Sequence, residues 1–190
     1  MQATDEAAVT RLLNEFMSRV EPLGVRVTRA ATVEAAAGAL IAWAAELEAA
    51  EIVVAAEVSA RFPEVISSLE SSGLRVVAPG TPEQVRDAPL GLGLGHLAVA
   101  ETGSVLMAEP DLADRTVGLL SLAQAVICPT SAVVASLDDA APMLRRLALA
   151  RGGSMATLVT GPSRTADIER VLTVGVQGPG KVMVLFVDEP

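Results

Sequence analysis

The chain has 190 residues, 51% hydrophobic and 19% charged, which suits one domain with a sizeable core and excludes wholesale disorder. A formal net charge of −9 with 2% aromatic residues argues against nucleic acid, anionic membrane surfaces and base-stacking platforms. One cysteine, Cys128, and one histidine, His96, rule out an internal disulfide and any multi-cysteine or multi-histidine metal centre in this chain, so no metal or cofactor is expected. The acidic start Met1-Gln2-Ala3-Thr4-Asp5-Glu6 lacks the pattern of a signal peptide, and no apolar run approaches the ~20 residues of a membrane span. The expected location is the cytoplasm.

In chain order, Val9, Leu12, Leu13, Phe16, Met17 and Val20 follow three-four spacing, so residues 5–20 read as an amphipathic helix ended by Pro22 and Gly24. Residues 1–22 thus form an N-terminal helical segment, and residues 23–190 a single α/β domain. A short strand follows at residues 25–28. Thr32 opens a second helix with Val33, Ala36, Ala37, Leu40, Ile41, Ala44 and Leu47 on one face, and Trp43 covers the core from its edge. Residues 52–56 are a continuous apolar run, as in a strand covered on both faces. Phe62, Val65, Ile66 and Leu69 mark a helix closed by Gly73, and residues 74–78 another strand. This α-β-α-β-α-β rhythm calls for a three-layer α/β fold, a mostly parallel sheet with helices on both faces.

The middle is less regular. Residues 79–89 hold three prolines and read as a loop around a short helix. Two apolar strand-like runs meet at Glu101-Thr102-Gly103, residues 111–115 read as a polar loop, and Arg115 is placed to face a crevice. Residues 125–128 form a strand that makes Cys128 a buried hydrophobe rather than a nucleophile. A helix spans residues 137–148, with Ser136 and Asp139 as a capping box and Pro142 pushing its start to Asp138 or beyond. Residues 156–160 read as a buried strand, and residues 182–187 as the final one.

Glycine placement marks a candidate site. Gly91, Gly93, Gly95 and Gly103 form one cluster, and Gly161, Gly175, Gly178 and Gly180 another, so two distant stretches read as two sides of one crevice. Between residues 156–160 and the helical spacing of Ile168, Val171 and Leu172 lies Gly161-Pro162-Ser163-Arg164-Thr165-Ala166-Asp167-Ile168-Glu169. It reads as a strand-to-helix turn in which Ser163 or Thr165 caps the helix and backbone N–H groups, with Arg164, face a small anion. The competing reading is an ordinary capped turn with a solvated arginine.

Ala100-Glu101-Thr102-Gly103-Ser104, the nonapeptide, and Gly175-Val176-Gln177-Gly178-Pro179, in that order, closely resemble the LUD-domain family, and within it the lactate-utilization protein C branch. The resemblance runs from about Leu90 to Val187. It implies a fold like that of the CoA transferases, phosphosugar isomerases and formyltetrahydrofolate cyclo-ligase (NagB/RpiA/CoA transferase-like). It also implies an accessory role in oxidising L-lactate to pyruvate beside iron–sulfur lactate-utilization subunits. A small anionic ligand, a carboxylate or phosphate, would then meet Thr102, Gly103, Gly161, Ser163, Arg164, Thr165, Asp167, Gln177 and Gly178. Two positions depart from the family pattern: Gln177 replaces a histidine in the glycine-rich loop, and Ser121-Leu122-Ala123-Gln124 replaces a Pro-Pro-x-His stretch. Glutamine hydrogen bonds but does not shuttle protons near neutral pH. Two other functions fit the same residues: a stand-alone CoA-transferase-like enzyme using Glu101 as nucleophile or acid/base, and a non-catalytic metabolite sensor.

Overall fold

A computed structural model describes residues 3–109, 111–149, 155–166 and 172–188. Helix α1 (Ala3–Val20) ends in a 3-10 turn at Glu21–Leu23, closed by Gly24 in a left-handed conformation. Next come β1 (Arg26–Ala30) and α2 (Val33–Glu46), the latter capped by the Thr32 hydroxyl, which accepts from the Ala35 N–H at 3.2 Å. The first half closes with β2 (Glu51–Val54), α3 (Ala56–Arg61), α4 (Pro63–Ser71), β3 (Arg75–Val77) and the short α5 (Pro82–Val85). The second half contains β4 (Gly91–Leu94), β5 (Leu97–Val99), β6 (Ser104–Ala108), α6 (Leu112–Leu120), β7 (Ala123–Pro129), β8 (Val133–Val134) and α7 (Leu137–Leu149). It ends with β9 (Ala156–Val159), β10 (Arg164–Thr165), β11 (Thr173–Val174) and β12 (Lys181–Val187).

Six strands form an all-parallel sheet in the order β1-β12-β7-β4-β2-β3. Alternation along each central strand divides its side chains between two cores. Met183, Leu185, Ala125 and Ile127 pack with Ala36, Leu40 and Ala44 of α2 and with Val65 and Leu69 of α4. Val184, Phe186, Val126 and Cys128 point the other way, where Leu13, Phe16 and Val20 of α1 meet them. Phe16 and Phe186 anchor that contact edge to face, 5.2 Å between centroids. The mostly parallel sheet flanked by helices is therefore as expected, and Cys128 is buried in β7.

A second sheet, β8-β5-β6-β9, shares the α1 side of the fold. Its inner residues Ala98, Val105 and Met107 join the α1 core, while Leu97, Val99 and Leu106 pack against Ala140, Met143 and Leu147 of α7. This layer is invisible to the strand–helix rhythm, because its strands come from hairpins and returns rather than from βαβ units.

Four local readings change. Residues 111–115 are not a loop but the capped start of α6, with the Asp111 carboxylate accepting from the Ala113 N–H at 2.8 Å. Its periodicity misleads because Asp114 and Thr116 are buried while Leu112 and Leu119 are exposed. Helix α7 begins at Leu137 and runs through Pro142, whose exposed position leaves the unpaired carbonyl one turn earlier to water. The Ser136–Asp139 capping box forms as expected, with the Ser136 N–H donating to Asp139 at 3.0 Å. Strand β9 is a half-exposed edge of the second sheet rather than a buried strand. Finally, Arg164 and Thr165 are extended and pair antiparallel with Val174 and Thr173, so the turn leads first into β10 and not directly into a helix. Of the helical spacing expected at Ile168, Val171 and Leu172, the first two residues lie outside the described residues, as does Asp167, while Leu172 is exposed and in irregular structure just before β11.

Candidate functional site

The site begins with an absence of side chains. Leu92 and Leu94 of β4 enter the helix-side core, so Gly91 and Gly93, with Gly95 beyond the strand, face the other way. A Cβ at Gly91 would stand 2.7 Å from the Val117 carbonyl of α6, and one at Gly95 2.9 Å from Cys128 Cβ. A Cβ at Gly93 would overlap the Met107 methyl. Glycine therefore lets α6 and β6 settle directly on the sheet, and the first glycine cluster is a packing surface.

Between β6, β9, α6 and β7 an inner cavity of about 30 Å³ remains, lined by Met107, Glu109, Arg115, Gly118, Leu119, Gln124, Met155, Thr157 and Val159. Met107 and Glu109 share the inward face because side chains alternate along the strand, and Thr157 and Val159 reach it from the antiparallel partner β9. Among the described residues, Glu109 Oε1 and His96 Nδ1 are buried side-chain atoms without a hydrogen-bond partner. Gln124 Nε2 donates to the Met107 sulfur at 3.4 Å, a weak acceptor for an amide. Arg115 Nε donates to the Glu109 carbonyl at 2.7 Å, so the guanidinium does reach this cleft.

Burial raises the Glu109 carboxyl to about 7, helped by the negative charges of Asp114 and Glu57 and opposed by Arg115. Asp114 is held at the carboxyl end of β2, where its Oδ1 accepts the Ala56 N–H at the start of α3 at 2.9 Å. Glu57 Oε2 lies 3.1 Å from His96 Nε2, just past the end of β4. This acid-rich neighbourhood includes Glu57, Glu109 and Asp114, none of them singled out from sequence, beside Gln124, which the sequence marked only as a departure from the family pattern. One signal was present: Glu109 follows five buried strand residues and is itself followed by proline, which places a carboxylate at a covered strand end.

The residues singled out from sequence fall elsewhere. The exposed Glu101 lies in the β5–β6 turn, and its carboxylate accepts the Leu137 N–H at 3.2 Å at the start of α7. Thr102 donates to Ser104 at 2.8 Å, and Ser104 lies 2.7 Å from the Thr160 hydroxyl, which joins this turn to the nonapeptide. Gly103, at φ +68°, sits against Val20, where a Cβ would clash. Gly161 packs near Leu23 and Val25, and Arg164 Nη2 donates to the Leu23 carbonyl at 2.8 Å. The Ser163 N–H donates to the Pro179 carbonyl at 3.0 Å, and its carbonyl accepts the Gly175 N–H at 2.9 Å. The turn holding Gly161, Ser163 and Arg164 is thus stitched to the glycine-rich loop. Thr165 lies in β10.

Gln177 and Gly178 line an outer depression of about 410 Å³ together with Arg86, Asp87, Leu119, Leu120, Ser121 and Leu122. Leu119 also lines the inner cavity, so the two recesses adjoin.

The family model described as LUD domain matches residues 13–187. Lactate utilization protein C of Shouchella clausii is 36% identical over 108 residues, 56% of this chain and 47% of that protein. Its namesake from Bacillus subtilis is 32% identical over 110 residues, 56% of this chain and 45% of that protein. The chain spans about half the length of the curated relatives it matches. The crystal structure of a DUF162 family protein from Deinococcus radiodurans superposes with a TM-score of 0.69 at 20% identity, covering 94% of this chain and 98% of that one, so the fold is shared.

Proposed function

We propose for this chain, which belongs to the LUD domain family, the role of a lactate-utilization subunit that binds a small carboxylate across the two recesses meeting at Leu119. The observation that carries this reading is the position of two glutamines. Gln124 and Gln177 stand where the family resemblance has histidines, 53 positions apart in sequence, counted as 177 minus 124. One lines the inner cavity and the other the adjoining depression. Their amides donate hydrogen bonds to ligand oxygens but neither gain nor lose a proton near neutral pH. Arg86 at the outer recess and Arg115 at the inner one supply positive charge for an anion.

In this reading the chain binds and orients the acid, and iron–sulfur partner subunits take the electrons released as L-lactate becomes pyruvate. Its single cysteine is buried in β7, and a cluster needs several thiolates. The CoA-transferase-like alternative has less support, because the Glu101 carboxylate is engaged with the Leu137 N–H. The test is calorimetric titration with L-lactate and pyruvate, paired with a pull-down from lactate-grown cells. Binding of either acid is expected, weakened about tenfold or more by Gln177→Ala if its amide donates to a charged oxygen. Absence of binding by both acids, with no iron–sulfur protein captured, sinks the reading.

A further inference from the structure

We propose that the inner cavity is the binding site for the carboxylate head of a small organic acid, and that Glu109 meets this head as a neutral hydrogen-bond donor, so that a ligand binding to the ionised form brings one proton with it. The proposal rests on reading this cleft as a carboxylate site and adds which group holds the ligand and in what state. Three observations converge on it. Glu109 Oε1 is buried without a partner on the wall of a cavity, so an occupant is the natural group to satisfy it. Gln124, on the same wall, donates its amide to a thioether sulfur, leaving a strong donor poorly used. The cavity, about 30 Å³, has room for a head group of a few atoms, with the rest of the ligand lying toward Leu119 and the outer depression.

The charge state follows from the surroundings. The charged groups acting on Glu109 are Glu57 on α3, itself beside His96 after β4, and Asp114 and Arg115 on α6. From β7 and β9 the cavity receives the uncharged Gln124 and Thr157. An ionised Glu109 only accepts hydrogen bonds and would repel a ligand carboxylate, in company with Asp114 and Glu57. The neutral carboxyl removes the repulsion and donates its O–H to the ligand oxygen. Above neutral pH the proton comes from solvent: ionised Glu109, one proton and the ligand anion combine to a complex of neutral carboxyl and bound carboxylate. Because Glu109 titrates near 7, that proton is available under ordinary conditions.

The experiment titrates acetate and L-lactate into the full chain by calorimetry at about pH 6 and about pH 8.5, in pairs of buffers with different ionisation enthalpies. Proton uptake should be near zero at the lower pH and approach one per bound anion at the higher. Affinity should fall about tenfold per pH unit above about 7. Glu109→Gln keeps a donor of the same shape without a titratable proton, so it should bind acetate with no uptake and no pH dependence. Glu109→Leu should weaken acetate by about tenfold or more at the lower pH. Acetate binding without proton uptake, uptake that survives in Glu109→Gln, or no acetate binding at either pH overturns the proposal. Acetate bound with uptake while lactate is not bound leaves this proposal standing and removes the lactate reading.

Discussion

The two faces of β4 are made by the same four residues and do opposite things. On one face Leu92 is fully buried and Leu94 nearly so, in a dry core with α2 and the central strands. On the other, Gly91 and Gly93 contribute no side chains, so the α6 backbone at Val117 and the Met107 side chain of β6 come close to the strand beside a polar cavity. A sheet face that fills its own volume can only be a core. A face left bare borrows its side chains from elsewhere, and here they include Glu109 and Gln124.

Substitutions on each face sharpen that contrast. Leu92→Ala should cost the most, about 2–5 kcal/mol, because it leaves a cavity in a core that cannot collapse onto it. Urea denaturation at neutral pH reads this directly, and a loss under about 1 kcal/mol would mean that the leucine face is loosely packed. Gly91→Ala should cost about 1–3 kcal/mol, since its methyl meets the Val117 carbonyl, a backbone atom that yields only if α6 moves. An unchanged midpoint would show that α6 is not seated on β4.

The third change should stabilise. Glu109 is raised in the fold to about 7 from an ordinary value of 4.5. A raised carboxyl favours the folded state fully below the unfolded value and loses that contribution as pH climbs through the folded one. The window is therefore about pH 4.5 to 7, with stability falling as pH rises. Glu109→Gln escapes this titration, so it should gain about 1–2 kcal/mol over wild type at pH 8, after allowing for solvent screening, and nothing near pH 4. Parallel denaturation of both proteins across that range decides it, and a constant difference at all pH values would sink the assignment. The smallest effect belongs to Gly93→Ala, below about 1 kcal/mol, because the obstructing atom is the end of the flexible Met107 side chain. If Gly93→Ala destabilises more than Gly91→Ala, β6 rather than α6 sets the spacing over the glycine face.

Elements with clean local signals were legible. Thr32 caps α2, Gly73 closes α4 with positive φ, and the apolar runs around Val53, Ile127 and Leu185 became central strands. Helix α6 was hidden because its buried positions include an aspartate and a threonine, inverting the usual stripe. The family was legible from three motif blocks, while the glycines read as two walls of a crevice had different duties. Gly91, Gly93 and Gly95 serve close packing, and Gly161, Gly175 and Gly178 adopt positive φ in turns.

What the sequence determined by itself was most of the strands of the parallel sheet, helices α1, α2, α4 and α7, several caps and the family, because spacing, capping and turn chemistry act within a few residues along the chain. Tertiary structure alone decided the strand order β1-β12-β7-β4-β2-β3, the second sheet, and the company kept by Glu109. Asp114 is near in sequence, but Glu57 and Gln124 arrive from α3 and β7, on the far side of long connections. A carboxyl's proton affinity depends on burial and on charges near it in space, and neither quantity is written in the spacing of residues around position 109.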